Sequence, residues 1–243
     1  MEHITIATND GPMGAIVSVP EGDPRGAVIV VQEAFGLTDH IADITTRLAA
    51  EGFTAIAPAL FHREGSVVVD YQAMTTEDGV NQIMGLLGSL SAQGLAADLD
   101  ATIAHLNAGG FTEPSIGMVG FCMGGAVTLF SATRPGISAG VTFYGGGVET
   151  GRFGLPSLIE LAPNLRCDWL GLYGDTDGSI PVEQVEALRA AAASAPVTTE
   201  IIRYRDAGHG FNCNDRPDHF NQDAADDAWR RTIAFLGDHL TAR

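Results

Sequence analysis

The chain has 243 residues and no lysine: all thirteen basic residues are arginine. That absence excludes Schiff-base chemistry on a lysine, lysine-bound pyridoxal phosphate and a Walker-type phosphate loop. Basic charge is scarce as well, and the formal net charge of −17 leaves no footprint for nucleic acid. Cysteine is limited to Cys122, Cys167 and Cys213. An odd, sparse set of this kind is not a disulfide framework, and neither C-x-x-C nor H-E-x-x-H occurs. His209 and Cys213 stand four apart but form a weak ligand pair, so no metal and no cofactor is expected. No apolar run approaches the roughly 18 residues of a membrane span. The opening MEHITIATNDGP lacks a basic stretch followed by an apolar one, so neither a signal peptide nor a membrane partner is expected, and the cytoplasm is the default location.

What is present alternates between two periodicities. Short strands are expected at 3–8, 14–19, 26–31, 53–58, 115–121, 137–144, 166–174 and 198–204. Helices are expected at 40–52, 75–90, 95–108, 123–133, 181–193 and 221–240, with 62–75 irregular. This order predicts an α/β fold: a mainly parallel central sheet with helices on both faces. With no repeat or linker to divide it, the chain reads as one domain over 1–243.

In such sheets ligands gather at the carboxyl ends of the strands. Glu33, Cys122, Tyr144, Asp175, Asp177 and His209 all fall just after strands. GFCMG, at 120–124, has the form of the G-x-S-x-G nucleophile elbow of α/β-hydrolases, with cysteine in place of serine. A glycine-flanked cysteine is weak evidence alone, because buried Cys often serves as a small hydrophobe. The chain order of nucleophile, acid and histidine strengthens it. Two acids compete in YGDTDGSIP; Asp177 can turn back toward the histidine, whereas Asp175 suits the backbone of the turn. His209 stands in the small-residue loop DAGHGF. The other six histidines, His3, His40, His62, His105, His219 and His239, have no matching acid in the sequence and read as surface or structural.

The pieces VVQEAFGL, IGMVGFCMGGA, YGGGVE, GDTDGSIP and YRDAGHGF together resemble the dienelactone hydrolase (carboxymethylenebutenolidase) family, a cysteine branch of the α/β-hydrolases, over nearly the whole chain. The resemblance implies a single-domain α/β-hydrolase in which Cys122 is nucleophile, His209 base and Asp177 the orienting acid. It implies that Glu33 contacts the resting thiol, and that the backbone N–H groups of Ala34 and Met123 form the oxyanion hole. Phe35, Arg63, Tyr144, Phe211 and Arg216 are the candidate substrate contacts. The family's arginine clamp on a substrate carboxylate is missing at its usual places: Cys213 stands four residues after His209, and 64–106 holds no arginine. Arg63 and Arg216 are nearby but read more simply as surface residues, and Phe143 replaces one tyrosine of a pair. The expected function is therefore hydrolysis of a small-molecule lactone or ester by a monomer or homodimer. The alternatives are a broad-specificity carboxylesterase and a catalytically idle scaffold that binds a small ligand.

Overall fold

Strands that are apolar along their whole length need cover on both faces, and the four most continuous runs lie at the centre of the sheet. The computed structural model describes residues 1–242. Its strands are β1 (Glu2–Thr8), β2 (Gly11–Ser18), β3 (Ala27–Val31), β4 (Thr54–Pro58), β5 (Ile116–Phe121), β6 (Ala139–Phe143), β7 (Asp168–Gly174) and β8 (Thr199–Tyr204). They form one sheet in the order β1-β2-β4-β3-β5-β6-β7-β8. The pairings β1–β2 and β2–β4 are antiparallel, and every later pairing is parallel. Every residue of β3, β4, β5 and β6 is buried, whereas the edge strands β1 and β8 are mostly exposed or half-buried.

The helices are α1 (Asp39–Ala50), α2 (Glu77–Gly88), α3 (Ala92–Ala108), α4 (Met123–Ala132), α5 (Leu158–Leu161), α6 (Val182–Ala192) and α7 (Gln222–His239). Thr38, Thr76, Ser91 and Asn221 begin four of them by accepting a backbone N–H of the first turn. Two glycines of β5 show that both faces are covered. A Cβ at Gly117 would meet Leu236 of α7 at 2.9 Å, and one at Gly120 would meet the carbonyl of Gly124 in α4 at 2.0 Å. Positions three apart on a strand point to opposite faces, so α7 and α4 flank β5 from either side.

The expected elements are recovered with shifts of a few residues at their ends. The stretch 62–75 is irregular apart from single 3₁₀ turns at His62–Glu64 and Tyr71–Thr75. Helix α5 was not expected, because four residues are too short to display a helical period.

Candidate active site

The turn from β5 to α4 leaves one residue, Cys122, to reverse the chain, and it does so at φ 53° and ψ −114°. A non-glycine residue held there stores about 1–3 kcal/mol of strain. Its N–H bonds to the Phe143 carbonyl at 3.0 Å, which ties the turn to β6. The flanking glycines are steric necessities. A Cβ at Gly124 would lie 2.3 Å from the Val31 carbonyl, and the Gly120 clash falls on backbone too. The half-buried thiol thus stands at the N-terminus of α4, beside the positive end of the helix dipole. Among the described residues, the N–H groups of Ala34 and Met123 have no protein acceptor.

His209 follows β8 and faces Cys122 across the sheet edge. Its Nδ1 bonds the Asp177 carboxylate at 2.7 Å, leaving Nε2 for the thiol. Burial would lower the His209 pKa, but the negative charge of Cys122 and hydrogen bonds with Asp177 and Cys122 raise it well above the usual imidazole value. Asp177 is itself 5% exposed, and its other oxygen accepts from the Ser179 N–H at 2.8 Å and hydroxyl at 2.7 Å. Burial opposes its charge, yet the His209 and Ser179 contacts hold its carboxyl below the ordinary range. Asp175 points elsewhere and pairs with Arg203 at 2.7 and 2.9 Å. The loop carrying His209 is braced by His219, whose Nδ1–H donates to the His209 carbonyl at 3.0 Å and whose Nε2 is bonded to the Tyr71 hydroxyl.

Glu33, also at this edge, is 1% exposed and forms an ion pair with Arg216. The thiol it meets is Cys213, whose Sγ lies 3.5 and 3.6 Å from the two carboxylate oxygens; Cys122 is not among its partners. Tyr144 places its hydroxyl 3.4 Å from the same Cys213 sulfur. Arg216 is no surface residue: it is 6% exposed, with its guanidinium carbon 4.7 Å from the ring centres of both Phe35 and Tyr71. Those aromatic faces and the Glu33 charge compensate the burial of the cation. Burial, followed by the Glu33 charge, pushes the Cys213 thiol well above its ordinary pKa, and burial pushes Cys167 up to about 12.

A cavity of about 270 Å³ opens over these groups. Its floor is Glu33, Ala34, Cys122 and His209, and its wall is the apolar face of α2 with Val80, Ile83, Met84 and Leu87. Phe35 and Arg216 line it as expected, but Arg63, Tyr144 and Phe211 do not. Arg63 is held elsewhere by Asp98 and Asp10 at 2.7 Å. Tyr144 and Phe211 are fully buried, with ring centres 5.3 Å apart, and Tyr144 packs against the His209 ring at 5.0 Å. Two histidines do have acids: His62 bonds Asp98 at 3.0 Å and His239 lies 3.3 Å from Asp168, both outside the cavity. Sequence reading missed the cavity residues Arg152, Tyr71 and His219. Arg152 contributes a cation with no carboxylate partner among the described residues. The spacing of Val80, Ile83, Met84 and Leu87 does mark an apolar helix face, but spacing alone cannot say that it lines a cavity.

The family model described as the dienelactone hydrolase family matches residues 13–240. A Salmonella typhimurium protein named "Putative carboxymethylenebutenolidase" is 36% identical over 252 residues, covering 96% of this chain and 91% of that protein. An Escherichia coli K12 protein of the same name is 39% identical over 215 residues, covering 88% and 77%. Among solved structures, a Klebsiella pneumoniae "Putative Dienelactone Hydrolase" superposes with a TM-score of 0.85 at 34% identity, over 97% of each chain.

Proposed function

The chain belongs to the dienelactone hydrolase family, which makes it a hydrolase of ester or lactone bonds, and on that premise we propose that it works through a thioester on Cys122. The observation that carries this reading is the proximity of Cys122 and His209 at the floor of a mostly apolar cavity, with Asp177 bonded to the far side of the His209 ring. The Cys122 thiolate attacks the carbonyl carbon of the substrate. The Met123 and Ala34 N–H groups, free of protein acceptors, receive the oxyanion that forms. Collapse of the tetrahedral adduct breaks the acyl C–O bond, and the enolate or alkoxide leaves with the proton of the His209 imidazolium. Neutral His209 then takes a proton from water as its oxygen attacks the thioester. Release of the acid restores the thiolate–imidazolium pair, with no electron donor or acceptor needed. Asp177 fixes the ring so that Nε2 faces the sulfur.

The apolar α2 wall favours a neutral acyl or alcohol group beside the scissile bond. Arg216 reaches the cavity, but its charge is already matched by Glu33. A substrate carboxylate would have to compete with that buried pair or rely on Arg152, the other cation lining the cavity. The reading is a lactone or ester hydrolase with modest selectivity for anions.

Rapid mixing with a slow ester followed by acid quench tests the mechanism. Expected is a burst of alcohol release with the acyl mass found on the peptide containing Cys122. Steady turnover with the acyl group on no peptide, or on another residue, would contradict it. Absence of turnover across lactones and esters would leave the idle-scaffold alternative as the better account.

A further inference from the structure

Behind the catalytic floor lies a second group of donors that the hydrolytic steps do not use. His40, near the start of α1, is 2% exposed, and neither Nδ1 nor Nε2 has a hydrogen-bond partner. A buried polar atom left without a partner costs about 1–3 kcal/mol, and buried rings almost always find one. The donor atoms of His40, the fully buried Cys213 and the exposed Asp215 lie within 4.8 Å of one another. We propose that His40, Cys213 and Asp215 form a binding site for a borderline-soft divalent cation, zinc above all.

The donor set suits that ion: one imidazole nitrogen, one thiolate sulfur and one carboxylate oxygen, with a fourth tetrahedral position for water. Zinc bonds of about 2.0–2.3 Å put tetrahedral donors roughly 3.3–3.6 Å apart. Closing the present spacing therefore needs a movement of about 1 Å, which an exposed Asp215 can supply by rotation. Charge closes too. The thiolate and Asp215 balance the dication; Asp215 would give up its 4.0 Å contact with Arg216, which keeps Glu33 as its counter-charge. On binding, the Cys213 thiol gives its proton to solvent and the sulfur–metal bond forms. An outer shell is in place, with the Tyr144 hydroxyl 3.4 Å from the sulfur and the His40 ring edge-on to Phe121 at 5.7 Å. Asp215 also lines a surface depression of about 350 Å³, together with Asp39, Asp70 and Arg216. Three acids around one opening raise the local concentration of cations.

Cobalt(II), a spectroscopic stand-in for zinc, tests the proposal in the full chain carrying Cys122→Ser, which removes the competing thiol–imidazole pair. Expected is one cobalt per chain with a thiolate-to-cobalt charge-transfer band, displaced by zinc, and a melting temperature that rises with added zinc. The band should vanish in Cys122→Ser/Cys213→Ser. Asp215→Asn, a surface change that spares the core, should weaken cobalt by at least about tenfold, since even outer-shell losses cost 10–100-fold. No band in Cys122→Ser would put water in the cation's place and overturn the proposal. A band that persists without Cys213, or an affinity indifferent to Asp215→Asn, would overturn it equally.

Discussion

Cys122 and Cys213 stand at the same edge of the sheet, yet the proposed mechanism gives them opposite roles and their surroundings differ. Cys122 is half-buried on a strained turn, with a helix N-terminus beneath it and the His209 imidazole beside it in the same cavity. Cys213 is fully buried between a carboxylate and a phenol, and both burial and the Glu33 charge oppose its ionisation. Composition cannot separate the two thiols. What separates them is the sign of the nearest charge and the access of solvent. A nucleophile is made less by the residue type than by what the fold places within a few ångströms of it.

The comparison breaks most visibly at the two sulfurs. Cys122→Ala should lower turnover on any ester substrate by about 10⁴-fold or more, as loss of a triad nucleophile does elsewhere. The fold should survive, because a small residue suits the turn, and circular dichroism should be unchanged. Cys213→Ala should stay within about tenfold of wild-type turnover in the same assay, because it removes no group that touches the reacting atoms.

The two aspartates of the same loop sharpen it next. Asp177→Asn should cost about 10²–10⁴ in kcat, since loss of the orienting acid costs about 10⁴ in a serine protease and a thiolate softens that demand. Asp175→Asn breaks a pair with Arg203 near the surface and should cost at most about 1 kcal/mol of stability, with kcat little changed. A greater fall in kcat for Asp175→Asn, measured on one ester at one pH, would reverse the assignment.

The buried ion pair behind Cys213 offers a stability test. Arg216→Met leaves Glu33 without its counter-charge, and breaking a buried pair costs about 3–5 kcal/mol. For a chain of this size that is a fall in Tm of about 6–20 °C by calorimetry. Glu33→Gln with Arg216→Met should recover much of the loss, because no unpaired charge remains.

The smallest expected effect concerns the substrate. With Arg216 matched by Glu33, kcat/KM for a dienelactone should exceed that for a matched neutral lactone by less than about tenfold, or ~1.4 kcal/mol. Arg63→Ala should leave that ratio unchanged, because Asp10 and Asp98 hold this arginine outside the cavity. A hundredfold preference would mean that a guanidinium frees itself on binding, with Arg216 and Arg152 the two in reach.

What was legible in the sequence was local. The elbow could be read because strand, cysteine and helix are consecutive, and its glycines are set by clashes with nearby backbone. His209 and Asp177 could be placed because each lies in the loop after a strand, and strand ends share one edge. The mainly parallel sheet with helices on both faces could be read from the alternation of periods. The shell behind the site was not legible, because its contacts are long in sequence. Glu33 meets Cys213 and Arg216 across 180 and 183 residues. Arg216 sits in NCNDRPDHF, a segment whose polarity suggests a solvated loop. Only the tertiary fold shows that two aromatic rings and a carboxylate enclose it. The unpartnered His40 ring is likewise invisible along the chain, where it reads as one polar residue at the start of an amphipathic helix.

Alkylation of the three cysteines by iodoacetamide across pH, with rates mapped to each residue in the folded protein, tests the central claim most directly. The account predicts that Cys122 reacts at least about a hundredfold faster than Cys167 and Cys213 near neutral pH, because thiolate character and access govern the rate. It also predicts that Cys122→Ser leaves no fast phase. Equal or faster labelling of Cys213 or Cys167 would contradict it.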